Sequence, residues 1–398
     1  MFRIETPKSS LGEELGLSSW AEIDLDALEH NLKFIQRSLS GEAELMAVIK
    51  ANAYGHGAVP VAQTALQEGA TSLAVHRIIE GIQLRTANID APILILGYTS
   101  PTQAKRVVKH DLSPTVIDCD QAQALESEAS SQDQIVDVHV SVDTGMGRFG
   151  VLPDHILEVL GSIDESDHLR FTGLYTHFAT ADEVDKSYTY YQYRLYRRVV
   201  HRLEENGFSI PLRHVCNSAA TVDFPDLHLD MVRCGILLYG MDPSNEPGHS
   251  KGLEPVLSLK SRVIRVATLP EGSSIGYGRT YVTPKSTQVA LIPVGYGDGY
   301  PRLLSNRSEI LIHGHRVPVV GAVSMDQIVV NIDDVSRVQK GDEAVLIGQQ
   351  GEEEISAEEV GQWAETLNYE VVTRLLPRVS RLYLRDGEII RKENLLQN

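Results

Sequence analysis

The chain has 398 residues, of which 42% are hydrophobic, and this is enough for two domains that each bury a core. Its formal net charge of -18 argues against nucleic acid and anionic membranes as partners, because either would need clustered lysine and arginine. The spacing of its three cysteines fits neither a zinc site nor a disulfide framework, so we expect no bound metal. No apolar run has the length of a signal peptide or a membrane span, and we therefore expect a cytoplasmic protein.

Short apolar runs alternate with longer amphipathic stretches from residue 20 to residue 248, a pattern typical of repeated βα units and a parallel sheet. Two examples of predicted helices are Ala58–Glu68 and Ser187–Glu205. Eight strands are predicted, at Met46–Ile49, Ser72–Val75, Ile93–Leu96, Thr115–Ile117, Val136–Val142, Phe171–Thr176, Arg213–Cys216 and Met231–Leu238. We therefore predict an α/β fold in which an extension over residues 1–19 precedes a (β/α)8 TIM-type barrel.

The chain changes character after Gly248, where apolar and polar residues alternate between glycine-rich turns. The segments Val256–Val266 and Glu309–Val320 show this alternation. It is typical of strands with one buried face, so we predict a mostly β domain over residues 249–398. The segment Asn245–Gly252 is the predicted linker.

Lys50 ends an apolar run and opens a glycine-rich turn, in the stretch Leu45–Gly57. An amine at the mouth of a buried strand, with the phenol of Tyr54 four residues later, can hold an aldehyde cofactor as a Schiff base. Pyridoxal phosphate is the leading candidate. A lysine at a strand end is usually just solvated, so the other strand ends have to support this interpretation.

Active sites of such barrels lie where strands end and βα loops begin. After the fifth predicted strand, the glycines of the loop Asp143–Gly150 allow close approach of the backbone, and its Arg148 can reach a carboxylate or a phenolate. His177 ends the sixth strand. Both residues also have simpler interpretations, as an exposed arginine in a flexible loop and as a packed histidine.

Two further strand ends carry groups suited to a phosphate. Asn217 and Ser218 follow the seventh strand at a predicted helix N-terminus, where backbone N–H groups and the helix dipole favour an anion, although simple N-capping would explain them equally well. Arg233 and Gly235 belong to the eighth strand. Phosphate sites in this architecture commonly lie after strands seven and eight, so the two segments support each other.

These motifs occur in the order found in alanine racemases, and the chain resembles that family from about Trp20 to Leu382. The resemblance implies that Lys50 forms a Schiff base with pyridoxal 5'-phosphate and that Arg233 bonds the pyridine nitrogen. The further residues that it implies around the cofactor are Tyr54, His177, Asn217, Ser218, Gly235, Ile236 and Tyr369.

The resemblance also implies a reaction, the interconversion of L-alanine and D-alanine by two bases on opposite faces of the substrate, which supplies D-alanine for peptidoglycan. Lys50 would serve one face, and Tyr277 from the neighbouring subunit would serve the other. The Arg148 side chain and the Met325 backbone would bind the substrate carboxylate. The expected active unit is a homodimer with shared active sites.

Ser141 departs from the family pattern. Many members have a lysine there, modified to a carbamate that hydrogen-bonds the arginine equivalent to Arg148. Serine cannot carry that negative charge. We therefore expect a bound anion, such as chloride, near Arg148 and Ser141.

Two alternative reactions remain open at this point. A racemase for serine or another amino acid would use the same pair of bases. A fold type III decarboxylase usually pairs the ring nitrogen with a carboxylate, and Arg233 argues against it because a guanidinium stays protonated and cannot accept a proton from the ring. The pyridine should then remain neutral, which suits an enzyme that only moves one α-proton.

Overall fold

The computed structural model describes residues 16–244 and 248–395. Most of the predicted extension over residues 1–19, and residues 245–247 of the predicted linker, lie outside this description. The described chain begins with strand β1 (Ser19–Asp24) and helix α1 (Leu25–Ser38). It divides into two compact units, one spanning Leu28–Leu253 and the other combining the described residues up to Ala27 with those from Glu254 onward.

The first unit is built on eight parallel strands, which form one sheet in the order β8-β7-β6-β5-β4-β3-β2-β9. A backbone bond from the Arg233 N–H to the Cys216 carbonyl, 3.0 Å long, links the two ends of the series. The strands are β2 (Glu44–Val48), β3 (Ser72–Val75), β4 (Ile93–Tyr98), β5 (Ser113–Val116), β6 (Val136–Ser141), β7 (Leu169–Tyr175), β8 (Arg213–His214) and β9 (Met231–Cys234). The sheet is a nearly closed barrel, which confirms the predicted TIM-like fold.

Helices alternate with these strands. They are α2 (Ala58–Gln67), α3 (Ile78–Thr86), α4 (Ala104–Lys109), α5 (Cys119–Gln132), α6 (Ile156–Asp164), α7 (Ser187–Glu205) and α8 (Ser218–Asp223). Some begin at recognisable caps, as at α5, where the Asp118 carboxylate accepts a 2.8 Å bond from the Gln121 N–H. None of the helices in the described part of the chain is long and apolar enough to cross a membrane.

The eighth barrel strand is shorter than predicted. Sequence analysis extended it to Leu238, but β9 ends at Cys234 and a short 3-10 helix follows over Ile236–Tyr239. The reason is local, because the Gly235 N–H donates to the Ser218 hydroxyl at 2.9 Å instead of to a neighbouring strand. An apolar run alone does not distinguish a strand from a buried helical turn.

The second unit is mostly β, as predicted. Its main sheet has the order β16-β15-β18-β10-β1-β20-β21 with β19 paired to β18, and it is accompanied by a three-stranded sheet and a two-stranded one. Its further strands are β10 (Leu257–Arg262), β11 (Arg265–Leu269), β12 (Ser274–Ile275), β13 (Tyr281–Val282), β14 (Thr287–Ile292), β15 (Glu309–Ile312), β16 (His315–Pro318), β17 (Ile328–Asn331), β18 (Glu343–Gln350), β19 (Glu353–Ile355), β20 (Ser380–Arg385) and β21 (Glu388–Glu393). Two short helices follow β19, namely α9 (Ala357–Trp363) and α10 (Asn368–Thr373).

The first strand of the described residues, β1, belongs to this second unit. Sequence analysis placed residues from 20 onward in the barrel and ended that domain at 248, whereas the structure divides the chain after Ala27 and Leu253. Trp20 pairs with Lys260 of β10 and with Ser380 of β20, and its side chain is fully buried. The placement of β1 depends on strands more than 200 residues away in sequence. The local pattern of apolar and polar residues contains no information about such distant partners.

Candidate active site

Lys50 opens a left-handed turn at the carboxyl end of β2. Four successive non-glycine residues have φ between 53° and 56°, a conformation that costs each about 1–2 kcal/mol, and they are Ala51, Asn52, Ala53 and Tyr54. The carboxylate of Glu80 accepts a 2.6 Å bond from the Ala51 N–H, and the Asn52 amide oxygen accepts one of 2.8 Å from the Ala58 N–H. Strain of this kind persists only where surrounding contacts enforce it, and it is concentrated at functional sites.

The environment of Lys50 favours its neutral, nucleophilic form. Burial lowers the pKa of the Lys50 ammonium, the positive charge of Arg148 lowers it further, and Glu80 opposes both effects. The Lys50 Nζ lies 5.8 Å from the centroid of the Tyr54 ring. A lysine with a lowered pKa at the mouth of a barrel can attack an aldehyde or take up a proton.

Gly235, Ser218 and Tyr54 meet at one corner of the barrel. The Ser218 Oγ accepts the 2.9 Å bond from the Gly235 N–H, so its own hydrogen is available to another acceptor. A Cβ at position 235 would lie 2.5 Å from the Tyr54 hydroxyl, so only glycine fits there. Burial raises the pKa of Tyr54, which keeps its phenol protonated as a donor.

Asn217 and Ile236 flank the same corner. Asn217 is the N-cap of α8, where its side-chain oxygen accepts a 3.0 Å bond from the Ala220 N–H, as the capping interpretation predicted. Ile236 is buried at the start of the 3-10 helix. Hydroxyl donors beside a helix N-terminus form a site suited to a phosphate.

The guanidinium of Arg233 is buried inside the barrel, with 3% of the residue exposed. Its Nη1 donates to the His214 carbonyl at 2.7 Å and to the His214 Nδ1 at 2.9 Å, and its Nη2 donates to the Thr176 carbonyl at 2.7 Å. His177 Nδ1 lies 3.5 Å from Nη2, and the Tyr175 ring lies 5.0 Å from the guanidinium carbon. The cation is thus held by carbonyls, imidazoles and an aromatic face.

A third histidine, His139, continues this network. A guanidinium only donates, so His214 Nδ1 must accept and His214 Nε2 must carry the proton that bonds His139 Nδ1 at 3.0 Å. Gly173 leaves room for His139, since a Cβ at position 173 would lie 2.4 Å from that Nδ1. The bonds fix one neutral tautomer for each imidazole.

Charge and burial keep these histidines neutral. Burial lowers the pKa of His139 to about 4 and the pKa of His214 and His177 well below the usual value, and the charge of Arg233 adds to the effect at all three. Sequence analysis did not select His139, His214 or Tyr175. In the sequence, each of these is a polar or aromatic residue within a predicted barrel strand. The strand pattern does not distinguish such a residue with a functional role from one that only packs in the interior.

The loop that carries Arg148 is held by its first residue. The Asp143 carboxylate accepts bonds from the Gly145 N–H at 2.9 Å and the Gly147 N–H at 3.1 Å, which leaves Arg148 exposed. Ser141 is buried at the end of β6. Burial raises the pKa of Tyr175, and hydrogen bonds from Thr115 and Ser141 act in the opposite direction.

Three predicted residues belong to the second unit. Tyr277 lies in a turn between Gly276 and Gly278, both with positive φ, and is 74% exposed. The Met325 side chain is 53% exposed, and Tyr369 lies half-buried on α10. The structure therefore gathers the predicted cofactor residues of the barrel at one end of its strands and places these three in the other unit.

Acidic, histidine and cysteine side chains within the described residues form no group of three or more that could hold a metal ion. The reactive groups at the barrel mouth are the amine of Lys50, the guanidinium of Arg233 and the hydroxyl groups beside Gly235.

Comparisons with known proteins match the chain along most of its length. The family described as "Alanine racemase, N-terminal domain" matches residues 23–243, and the one described as "Alanine racemase, C-terminal domain" matches residues 256–383. An alanine racemase of Desulforamulus reducens is 46% identical over 367 residues, which cover 92% of this chain and 98% of that protein.

Solved structures agree with the sequence comparison. The alanine racemase of Clostridium difficile 630 has a TM-score of 0.91 and 40% identity, covering 96% of this chain and 99% of that one. The alanine racemase of Bacillus anthracis, solved with bound L-Ala-P, has a TM-score of 0.90 and 38% identity, covering 95% and 98%.

The buried histidines predict a loss of stability in acid. Because the folded-state pKa of His139 lies near 4, below the value of about 6.5 for an unfolded histidine, its contribution is present above pH 6.5 and is lost as the pH falls toward 4. This contribution is of the order of 3 kcal/mol. His139→Asn, which keeps the acceptor for His214, should flatten the dependence of the free energy of unfolding on pH, measured by urea denaturation.

His315→Asn is the matched control, because His315 is exposed. It should leave the pH dependence of unfolding unchanged between pH 7.5 and pH 4.5. Equal slopes for the His139 variant and the wild type would show that His139 is not the neutral, buried group described above.

Proposed function

The chain belongs to the alanine racemase family, and we propose that it interconverts L-alanine and D-alanine with pyridoxal 5'-phosphate as its cofactor. The observation that carries the proposal is the convergence of an amine, a phosphate-binding corner and a buried arginine at one end of the barrel. These are Lys50, the Ser218–Gly235 corner and Arg233. Each supplies what one part of the cofactor requires.

The residues at the barrel mouth fit pyridoxal phosphate chemically. Lys50 would hold it through its aldehyde, and the lowered pKa of that amine favours the neutral form needed for attack. Ser218 and Tyr54 would bind its phosphate through their hydroxyl groups, together with the backbone at Gly235 and Ile236, and Asn217 and Tyr369 would lie beside it. The crowding at Gly235, where a Cβ would meet Tyr54, is consistent with a corner where backbone must come close to a ligand.

Arg233 would face the pyridine nitrogen, supported by His177. When bound, the cofactor makes the α C–H bond of the amino acid more acidic by withdrawing electrons from it. Arg233 would limit this effect, because its guanidinium keeps its proton and would only donate a hydrogen bond to the ring nitrogen, which would leave the ring neutral and a weaker electron acceptor. A guanidinium at this position contrasts with the carboxylate expected there for a decarboxylase.

Two side chains would move the proton. The amine of Lys50 would take it from one face of the α-carbon, and the phenol of Tyr277, contributed by the second subunit of a homodimer, would deliver one to the other face. The large exposed fraction of Tyr277 supports a role toward another surface. D-alanine formed in this way would supply peptidoglycan synthesis. If the protein has this role, cells that lack it should need external D-alanine to grow.

The substrate carboxylate would be bound by the Arg148 guanidinium of one subunit and the Met325 backbone N–H of the other. Arg148 places a positive charge at this end of the barrel, and that charge lowers the pKa of both Lys50 and His177. Ser141 offers a hydroxyl but no negative charge there. We therefore retain the proposal that an anion such as chloride binds near Arg148 and Ser141.

Racemisation can be tested directly with the purified, cofactor-loaded protein and L-alanine in deuterated water. We expect loss of optical activity together with deuterium at the α-carbon. Lys50→Ala should lower the rate by on the order of 10²–10⁴-fold and remove the visible absorbance of the lysine-bound cofactor. Lys105→Ala, an exposed lysine on α4, is the control.

The outcome separates the alternatives. Exchange with retained configuration would mean that Lys50 acts without an opposite base, and release of carbon dioxide would indicate a decarboxylase. Faster turnover of serine or another amino acid would change the substrate but not the reaction.

Shared active sites can be tested by mixing two inactive variants. In a dimer of one Lys50→Ala subunit and one Tyr277→Phe subunit, one site carries both substitutions and the other carries neither, so about half of the wild-type activity should return. Co-expression with two affinity tags would isolate this mixed dimer. A dimer of Lys50→Ala with Arg233→Ala, both in the barrel, should stay inactive. Activity in neither mixture would mean that Tyr277 serves its own chain.

The proposed anion predicts a dependence on chloride. Replacement of chloride by gluconate at constant ionic strength should raise the KM for alanine, because a bulky anion would leave Arg148 without its partner. Steady-state kinetics over a chloride titration measures this. A KM that does not change with the anion would count against a bound chloride.

A further inference from the structure

The turn that carries Met325 is held in one orientation by a neighbouring segment. The Ser324 carbonyl accepts a 3.1 Å bond from the Tyr296 N–H, and the Met325 carbonyl accepts a 2.8 Å bond from the Gly297 N–H. A Cβ at Gly295 would lie 2.2 Å from the Ser324 oxygen, so the two backbones are in direct contact. Side-chain burial does not fix this turn, since more than half of Met325 is exposed.

These bonds determine where the Met325 N–H points. In a planar trans peptide the N–H and the preceding C=O point in opposite directions. The Ser324 carbonyl is directed toward Tyr296, so the Met325 N–H is directed away from that segment. The group proposed to bind the substrate carboxylate therefore keeps its direction only while this contact persists.

Arg378 joins both sides of the contact. Its Nε and Nη2 donate to the two oxygens of the Asp298 carboxylate at 2.6 and 3.0 Å, and its Nη1 donates to Asp326 at 2.8 Å. Nη2 also reaches the Met325 carbonyl at 3.3 Å. Asp298 in turn accepts a 2.9 Å bond from the Gly295 N–H. One side chain thus ties the turn to the segment that orients it.

The proposed second base belongs to the adjacent segment. A Cβ at Gly276 would lie 3.1 Å from the Ala322 nitrogen, and a Cβ at Gly321 would lie 2.8 Å from the Ile275 carbonyl. The backbone that precedes Tyr277 is therefore packed against the backbone that leads into the Met325 turn. A displacement of this turn would also affect the neighbouring segment.

We propose that Arg378 is a positioning residue for substrate binding, which holds the 324–327 turn so that the Met325 N–H can receive the substrate carboxylate. This inference rests on the proposed function. Arg378 acts through the turn, and the planar fork of a guanidinium suits it to bridge two carboxylates and a carbonyl at once. Lysine, with a single ammonium, cannot reproduce that geometry.

The test compares Arg378→Ala and Arg378→Lys with the wild type in cofactor-loaded protein. Loss of a correctly oriented carboxylate donor should raise the KM for alanine by about tenfold, with a much smaller change in kcat, since the reacting groups remain. Arg378→Lys should recover only part of this change. Hydrogen exchange at the amides of residues 324–327 should accelerate in the alanine variant.

Arg316→Ala is the matched control in the same unit. Arg316 also bridges acidic partners, with contacts to Glu309, Glu353 and Glu359, and it has no contact with the Met325 turn among its described bonds. This variant should lower the unfolding temperature and leave KM and the exchange at residues 324–327 unchanged. If Arg378→Ala fails to fold, Asp326→Asn removes one half of the bridge from a mostly exposed residue, and it should raise KM about twofold to threefold.

An unchanged KM in Arg378→Ala, or exchange at residues 324–327 equal to that of Arg316→Ala, would overturn the proposal. A wild-type protein that does not racemise alanine would refute the proposed function instead. The exchange measurement would then still decide whether Arg378 holds the turn.

Discussion

The buried charge of Arg233 is the constraint on which the barrel interior depends. Removal of a guanidinium from water is costly unless hydrogen bonds replace its hydration, and here carbonyls and imidazoles supply them. Because this cation can only donate, it sets the tautomer of His214, and His214 sets that of His139. Burial lowers the pKa of both imidazoles, the same charge adds to this effect, and both therefore stay neutral. One side chain therefore organises three strands.

The turn that follows Lys50 is held in a strained conformation. The left-handed turn after β2 is unfavourable for four successive residues, and it is held in place by N–H groups that donate to the side chains of Glu80 and Asn52. The result is a half-buried amine whose pKa is lowered by burial and by Arg148.

In the second unit, hydrogen bonds also hold candidate site residues in place, but these residues are exposed. Tyr277 and Met325 are exposed, and backbone bonds from Tyr296 and Gly297, together with the contacts of Arg378, hold the Met325 turn. The first strand of the chain contributes to the stability of this unit, because Trp20 is buried between β10 and β20. The chain therefore contributes to this unit before residue 28 and again from residue 254 onward, with the barrel unit between these two parts.

The sequence by itself determined the two-part architecture, because buried strands, amphipathic helices and half-buried strands each leave a periodic pattern. It also determined which residues were candidates at Lys50, Ser218 and Arg233, since each follows a predicted strand. Only the tertiary structure decided that β1 joins the second unit, that β9 stops at Cys234 and that His139 and His214 contact Arg233. Those features depend on partners distant in sequence, and local patterns contain no information about which distant groups meet.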